Sequence, residues 1–270
     1  MPVKKDESGR RSVTASAEVP GSPEQVWEAI ASGPGITAWF VPTEVDGREG
    51  GTTTSNFGPG MESVAKITAW EAPRRFVAES DGELGEGGGP VATEWTVEAR
   101  SGGTCVVRVV HSWFASSDDW DKQFEGHEHG WVSFFRILRL YLQHFRGRRC
   151  VPMQVAGITA GAAADAWRTF GAGLGLEGAA VGQSVRTPSG APRLAGVVEN
   201  VGPETFPEVL VRAEDPGAGL VSLFAMAMGP MAMVMVRMYL YGDDAELVAA
   251  REESAWKAWL VAKGLPAPGA

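Results

Sequence analysis

The spacing of apolar residues switches from a strand-like to a helix-like period along the first half of the chain, and then does so again along the second. Val13, Ala15, Ala17 and Val19 alternate with polar residues, the period of two that marks a half-buried strand. Pro20 and Gly21 end it. Ser22, Pro23 and Gln25 then supply an N-cap, a proline at the first helical position and a capping-box partner. Val26, Trp27 and Ile30 form the stripe of a short helix that Gly33-Pro34-Gly35 breaks, and 36–42 reads as a second short helix or turn presenting Trp39 and Phe40. Strand-like runs follow at 61–70, 74–80, 91–99 and 104–114, separated by turn signals such as Glu71-Ala72-Pro73 and Gly102-Gly103. The segment "DGELGEGGGP" (81–90) has no Walker lysine and no strand–turn–helix context, so it reads as a hairpin loop. Trp120, Phe124, Trp131, Phe134, Phe135, Leu138, Tyr141, Leu142 and Phe145 then recur every three or four residues, which predicts a helix of about seven turns. A stripe this bulky must lie against an apolar sheet face.

The second half repeats the plan in worn form. Trp27 and Ile30 align with Trp167 and Phe170, Phe76 with Phe206, and Asp118, Asp119 and Trp131 with Asp243, Asp244 and Trp256. The matches keep their order while the offsets shrink, as loop deletions would produce. The apolar stretch 220–236 is broken by Gly229-Pro230 and closed by Arg237, so it reads as a hairpin of two buried strands and not as a membrane helix. Met226, Met228, Met231, Met233, Met235 and Met238 in that hairpin suit adaptable packing in a core, with a dimer or inter-repeat surface as the second reading. Each repeat runs strand, short helical pieces, antiparallel strands, long helix. This is an α+β layout with a curved antiparallel sheet around a C-terminal helix, present twice. The expected division is a flexible N-terminus at 1–11, a first domain at 12–150, a second, degenerate domain at 151–265, and a tail at 266–270.

Charge and composition narrow the function classes. A net charge of -9 leaves no basic footprint for nucleic acid. The cluster "FRGRRC" (145–150) reads as cations at a helix C-terminus. Cys105 and Cys150 show no metal or redox spacing, and 1–11 contains no secretory apolar region. A cytoplasmic location with no membrane partner is the expectation.

The segments "VTASAEVPGSPEQVWEAIASGPGITAWF", "VAKITAWEAPRRFV", "TEWTVEARSGGTCVVRVVHSWF" and "GHEHGWVSFFRILRLYL" carry a family resemblance. They contain a pre-helix proline, a Val-Trp pair, a Trp-Phe pair, a Pro-Arg-Arg turn, a Gly-Gly-Thr hairpin and a late Gly-Trp. In this the first half resembles the START/birch-pollen-allergen-like (SRPBCC) superfamily, and within it the activator of heat-shock-protein-90 ATPase-like branch. The second half lacks the Trp-Phe pair, a clear capping box and the Pro-Arg-Arg turn. The resemblance implies the helix-grip fold and an apolar small molecule, such as a lipid, polyketide or hydrophobic metabolite, held between sheet and long helix.

On that reading Trp95, His111, Trp113, His127, Trp131 and Phe135 are the candidate ligand-binding residues, whereas Trp27 and Trp39 are read as core. His111 shares a strand face with Cys105, Val107 and Val109. A histidine there is more often a hydrogen-bonded core residue than a base. His111 and His127 are nonetheless the candidates for acid–base work if the fold carries a cyclase or aromatase activity. Glu94 and Glu62 are weaker candidates, expected on the solvated face. His127 and His129 stand two apart and point to different sides of a helix, so no metal site is assigned, and no cofactor is expected. Non-enzymatic binding is the leading reading. An enzyme and a protein-interaction module are the alternatives; a homodimer remains open, and a chaperone partner is not expected.

Overall fold

The computed structural model describes all residues except 1, 2, 8, 59, 82–89, 115–120, 269 and 270, and of 121–129 it describes the backbone alone. Most of the glycine-rich loop, the pair Asp118-Asp119, Trp120 and the side chain of Phe124 therefore lie outside the described residues. The chain divides into two units, residues 1–147 and 148–270.

In the first unit, β1 (Lys4–Lys5) pairs with β2 (Arg11–Pro20), so the N-terminal polar segment contributes a short strand. The helix α1 (Pro23–Ala31) starts on the expected capping box. The Ser22 hydroxyl accepts from the Gln25 backbone N–H at 3.4 Å, and the Ser22 N–H donates to Gln25 Oε1 at 3.0 Å. The next helix, α2 (Gly33–Thr37), turns back so tightly that a Cβ on Gly35 would sit 2.0 Å from the Glu28 carbonyl oxygen, which excludes any other residue there. The strands β3 (Thr43–Val45), β4 (Thr52–Asn56), β5 (Glu62–Glu71), β6 (Arg75–Ser80), β7 (Val91–Arg100) and β8 (Thr104–Trp113) complete an antiparallel sheet in the order β1-β2-β8-β7-β6-β5-β4-β3. A register shift between Ile67 and Ala69 marks a bulge, a device that bends a strand. The long helix α3 (Asp121–His144) packs on β2, and its Ile137 and Leu138 are buried. This is the α+β helix-grip layout.

The second unit contains β9 (Cys150–Ala160), α4 (Ala163–Leu174), β10 (Ser184–Arg186), β11 (Ala195–Val201), β12 (Glu208–Asp215), β13 (Gly219–Met228), β14 (Met231–Tyr241) and α5 (Ala245–Ala262). Cys150 thus opens a strand of the second unit instead of closing the first. The sheet order β9-β14-β13-β12-β11-β10 is the same as β2-β8-β7-β6-β5-β4 in the first unit. The expected hairpin at 220–236 is β13–β14, turning at Gly229-Pro230. Met238 faces the α4 and α5 side and is fully buried. Strand alternation puts Met226, Met228, Met231, Met233 and Met235 on the other face, where Met235 is buried and Met228 exposed. Phe206 lies in the turn before β12 and stacks on Phe224 at 5.8 Å, so strand pairing makes Val209, not Phe206, the counterpart of Phe76. Ala162 precedes α4 without a side-chain cap, and Gly175, at φ 68°, ends that helix in the left-handed region. Among the described residues no helix is long and apolar enough to cross a membrane.

Candidate functional site

Strand alternation sends Phe76, Ala78 and Ser80 of β6, Thr93 and Trp95 of β7 and His111 of β8 to one face of the first unit's sheet. These residues, together with Gly130, Trp131 and Phe134 of α3, line a cavity of ≈ 420 Å³. Its walls are of two kinds. One is aromatic: Phe40 stacks on Trp131 with centroids 5.4 Å apart and planes within 9°, and meets Phe134 edge-on at 4.5 Å. Trp95 meets Trp131 edge-on at 5.3 Å. Such pairs add roughly 0.5–1.5 kcal/mol each beyond simple burial. The other wall is a strip of hydroxyls from Thr43, Thr53, Ser55, Ser63, Ser80 and Thr93. No Asp, Glu, Lys or Arg lines the cavity among the described residues.

The two walls meet at His111. The Trp131 indole N–H donates to His111 Nε2 at 3.1 Å, and His111 Nδ1 lies 2.9 Å from Thr93 Oγ1. Burying an imidazole beside aromatic rings without such partners would carry a desolvation cost of about 1–3 kcal/mol. Here both ring nitrogens are engaged, one from the helix and one from the neighbouring strand.

Of the six residues expected at the site, the structure brings Trp95, His111 and Trp131 together at the cavity. Two others are corrected. Trp113 lies one inward position beyond His111 at the end of β8, where it is 1% exposed and packs on Val13 and Val91. Phe135 is 4% exposed and sits behind the wall, within 5.7 Å of the Trp131 ring and 6.4 Å of the Trp39 ring, filling core instead of facing the cavity. His127 and His129 lie in α3, and their side chains fall outside the described residues. Trp27 is core, edge-on to Trp70 at 5.1 Å. Trp39 is core and wall at once: its indole donates to the Ala29 carbonyl at 2.8 Å while its ring faces the cavity. Glu94 is on the opposite face, accepting from Arg75 Nε at 2.6 Å, a bond that raises the Arg75 pKa, while Glu62 is exposed. The hydroxyl strip was not anticipated. The run "TTTSN" has no hydrophobic period, yet it forms β4, and Thr53 and Ser55 face inward from it.

The second unit differs at the same places. Strand pairing equates Phe76, Ala78, Ser80, Thr93, Trp95 and His111 with Val209, Val211, Ala213, Val221, Leu223 and Met238. Each of the latter is at most 2% exposed and belongs to one core with Trp256 and Phe170. Where the first unit has a lined cavity, the second has aliphatic packing.

The sheet, the gripping helix and the cavity between them give the first unit a helix-grip fold. Residues 20–143 match the family model described as Activator of Hsp90 ATPase homolog 1-like protein. The second unit lies outside the match. No curated protein matches the chain. Among solved structures, the di-domain ARO/CYC BexL from the BE-7585A biosynthetic pathway is 14% identical over 94% of this chain and 93% of its own, at a TM-score of 0.44. DynU16 from the dynemicin biosynthetic locus is 17% identical over 94% and 97%, at 0.42. The Aha1 dimer from Colwellia psychrerythraea is 20% identical over 50% of this chain and 98% of its own, at 0.43. At these identities and scores no function passes from them to this chain.

Proposed function

We propose that the first unit binds an apolar small molecule in the cavity between its sheet and α3. The observation that carries this reading is the lined space itself. A volume of ≈ 420 Å³ with an aromatic wall and a few convergent polar groups matches the usual make-up of small-molecule sites. Trp95, His111 and Trp131 are the binding residues on this reading. The bonds at both nitrogens of His111 weigh against a role as general base, because a base needs a free lone pair directed at the substrate. Binding without chemistry is therefore favoured over a cyclase-like reaction.

We further propose that the two units are tandem copies and that the second serves packing, its interior filled at the positions that line the cavity in the first. Native mass spectrometry of the purified chain, followed by organic extraction, tests both proposals. The expected result is an apolar molecule bound at one per chain. A stoichiometry of two would contradict the filled second unit, and a chain that takes up no apolar compound from a broad panel would overturn the binding reading.

A further inference from the structure

We infer that Thr93 is the residue that reads the ligand, and that it reads a hydrogen-bond acceptor, such as a carbonyl oxygen, on an uncharged molecule. This rests on the binding reading above and deepens it. An indole N–H can only donate, so the bond from Trp131 at 3.1 Å requires a lone pair on His111 Nε2. A neutral imidazole with its lone pair there carries its proton on Nδ1. Nδ1–H therefore donates to Thr93 Oγ1 at 2.9 Å, and the Thr93 hydroxyl serves as acceptor in that bond. Its own proton is left over. Among the described residues Thr93 has no other hydrogen-bond partner, and its side chain stands on the inner face of β7, lining the cavity. Other hydroxyls of the strip spend their protons within the protein: Thr43 on the Val41 carbonyl at 2.9 Å and Ser80 on the Val91 carbonyl at 3.4 Å.

His111 is then a positioning residue. Its ring, fixed from the helix by Trp131, turns the Thr93 hydroxyl into an oriented donor aimed at the cavity. A ligand that offers an acceptor at this point takes up the Thr93 proton, and a hydrocarbon bound there displaces water from it and leaves it unsatisfied. Among the described residues no charged side chain lines the cavity, which extends the selection: an ionised ligand would lose its hydration with no counter-charge from them to meet it.

Three probes on one tricyclic frame test this on the full-length chain by quenching of tryptophan fluorescence: 9-fluorenone, fluorene and fluorene-9-carboxylate. The ketone should bind about fivefold more tightly than the hydrocarbon, the factor that one net neutral hydrogen bond supplies, and the carboxylate most weakly. Thr93→Val should bring the ketone down to the affinity of the hydrocarbon, whereas Thr93→Ser, which keeps the hydroxyl, should retain the preference. A preference that survives Thr93→Val, its absence in the unaltered chain, or carboxylate binding equal to the ketone would overturn the inference while leaving the binding reading in place. Failure of all three probes to bind would instead count against the binding reading itself.

Discussion

Ala78 and Val211 occupy the same strand position in the two units, one beside a cavity and the other in a closed core, so exchanging their side chains should move stability in opposite directions. Ala78 pairs with Ile67 on one side and with Thr93 on the other. It is 4% exposed to bulk solvent yet lines the ≈ 420 Å³ space. Ala78→Val adds two methyl groups to that space. At about 0.8 kcal/mol per buried carbon, less the side-chain entropy lost, the gain is about 1 kcal/mol. For a unit of this size that corresponds to a rise in Tm of about 2–4 °C. Val211→Ala removes the same two groups from a fully buried position and should cost about 2 kcal/mol, since a cavity term adds to the transfer term. Calorimetry of the full-length chain reads both signs, and the preference of valine for strands shifts Ala78→Val by only a few tenths of a kcal/mol. Binding supplies the second readout, because Ala78→Val should also weaken 9-fluorenone. If Ala78→Val instead destabilises the chain by 1–3 kcal/mol, the cost of overpacking, then the space beside Ala78 is not vacant and the cavity argument fails.

Trp131→Phe removes the donor to His111 Nε2 and should destabilise the first unit by about 1–3 kcal/mol in urea denaturation. Trp256→Phe at the matching helix position should cost less, because the Trp256 indole N–H is buried with no acceptor among the described residues, so losing it relieves a desolvation penalty of similar size. Burial raises the thiol pKa of Cys150 from 9.0 to about 12, so the folded chain keeps a proton that the unfolded chain releases. The stabilising contribution is complete below pH 9 and is lost as pH rises towards 12, and at pH 10 the loss is about 1.4 kcal/mol. Between pH 8 and pH 10 the unaltered chain should therefore lose about that much more stability than Cys150→Ala, measured by chemical denaturation at each pH.

Much of the frame was legible in the sequence because the physics that sets it is local. The alternation over Val13–Val19, the capping box at Ser22 and Gln25, and the break at Gly229-Pro230 each act within a few residues, and each stands where the pattern placed it. The candidate site was legible only by half. Trp95, His111 and Trp131 share the inward face that periodicity assigns them, but periodicity also assigns that face to Trp113, and nothing in its spacing says that the cavity stops one position short of it. The hydroxyl strip was hidden for the opposite reason. Thr53 and Ser55 face inward yet are polar, and a pattern read as apolar-in and polar-out has no place for a polar residue turned towards an interior. The donor state of Thr93 lay further out of reach, since it depends on a helix indole and a strand imidazole that meet only in three dimensions.

The contrast between the two units separates what the fold supplies from what the side chains supply. Six strands in one order, with a helix along the same face, enclose a space in either case. Whether that space is vacant is settled at few positions. The small or polar Ala78, Ser80, Thr93 and His111 leave room and point polar groups into it, and Val211, Ala213, Val221 and Met238 close it with apolar surface. A closed aliphatic interior is the more stable solution for a sheet and helix, since each added buried carbon contributes and no polar group needs a partner. The first unit forgoes that gain at adjacent positions on three neighbouring strands, and it retains a histidine that must be satisfied from two directions. Polar residues kept at such a cost need a compensating role, and a ligand that completes the unfinished hydrogen bond of Thr93 supplies one that packing alone does not.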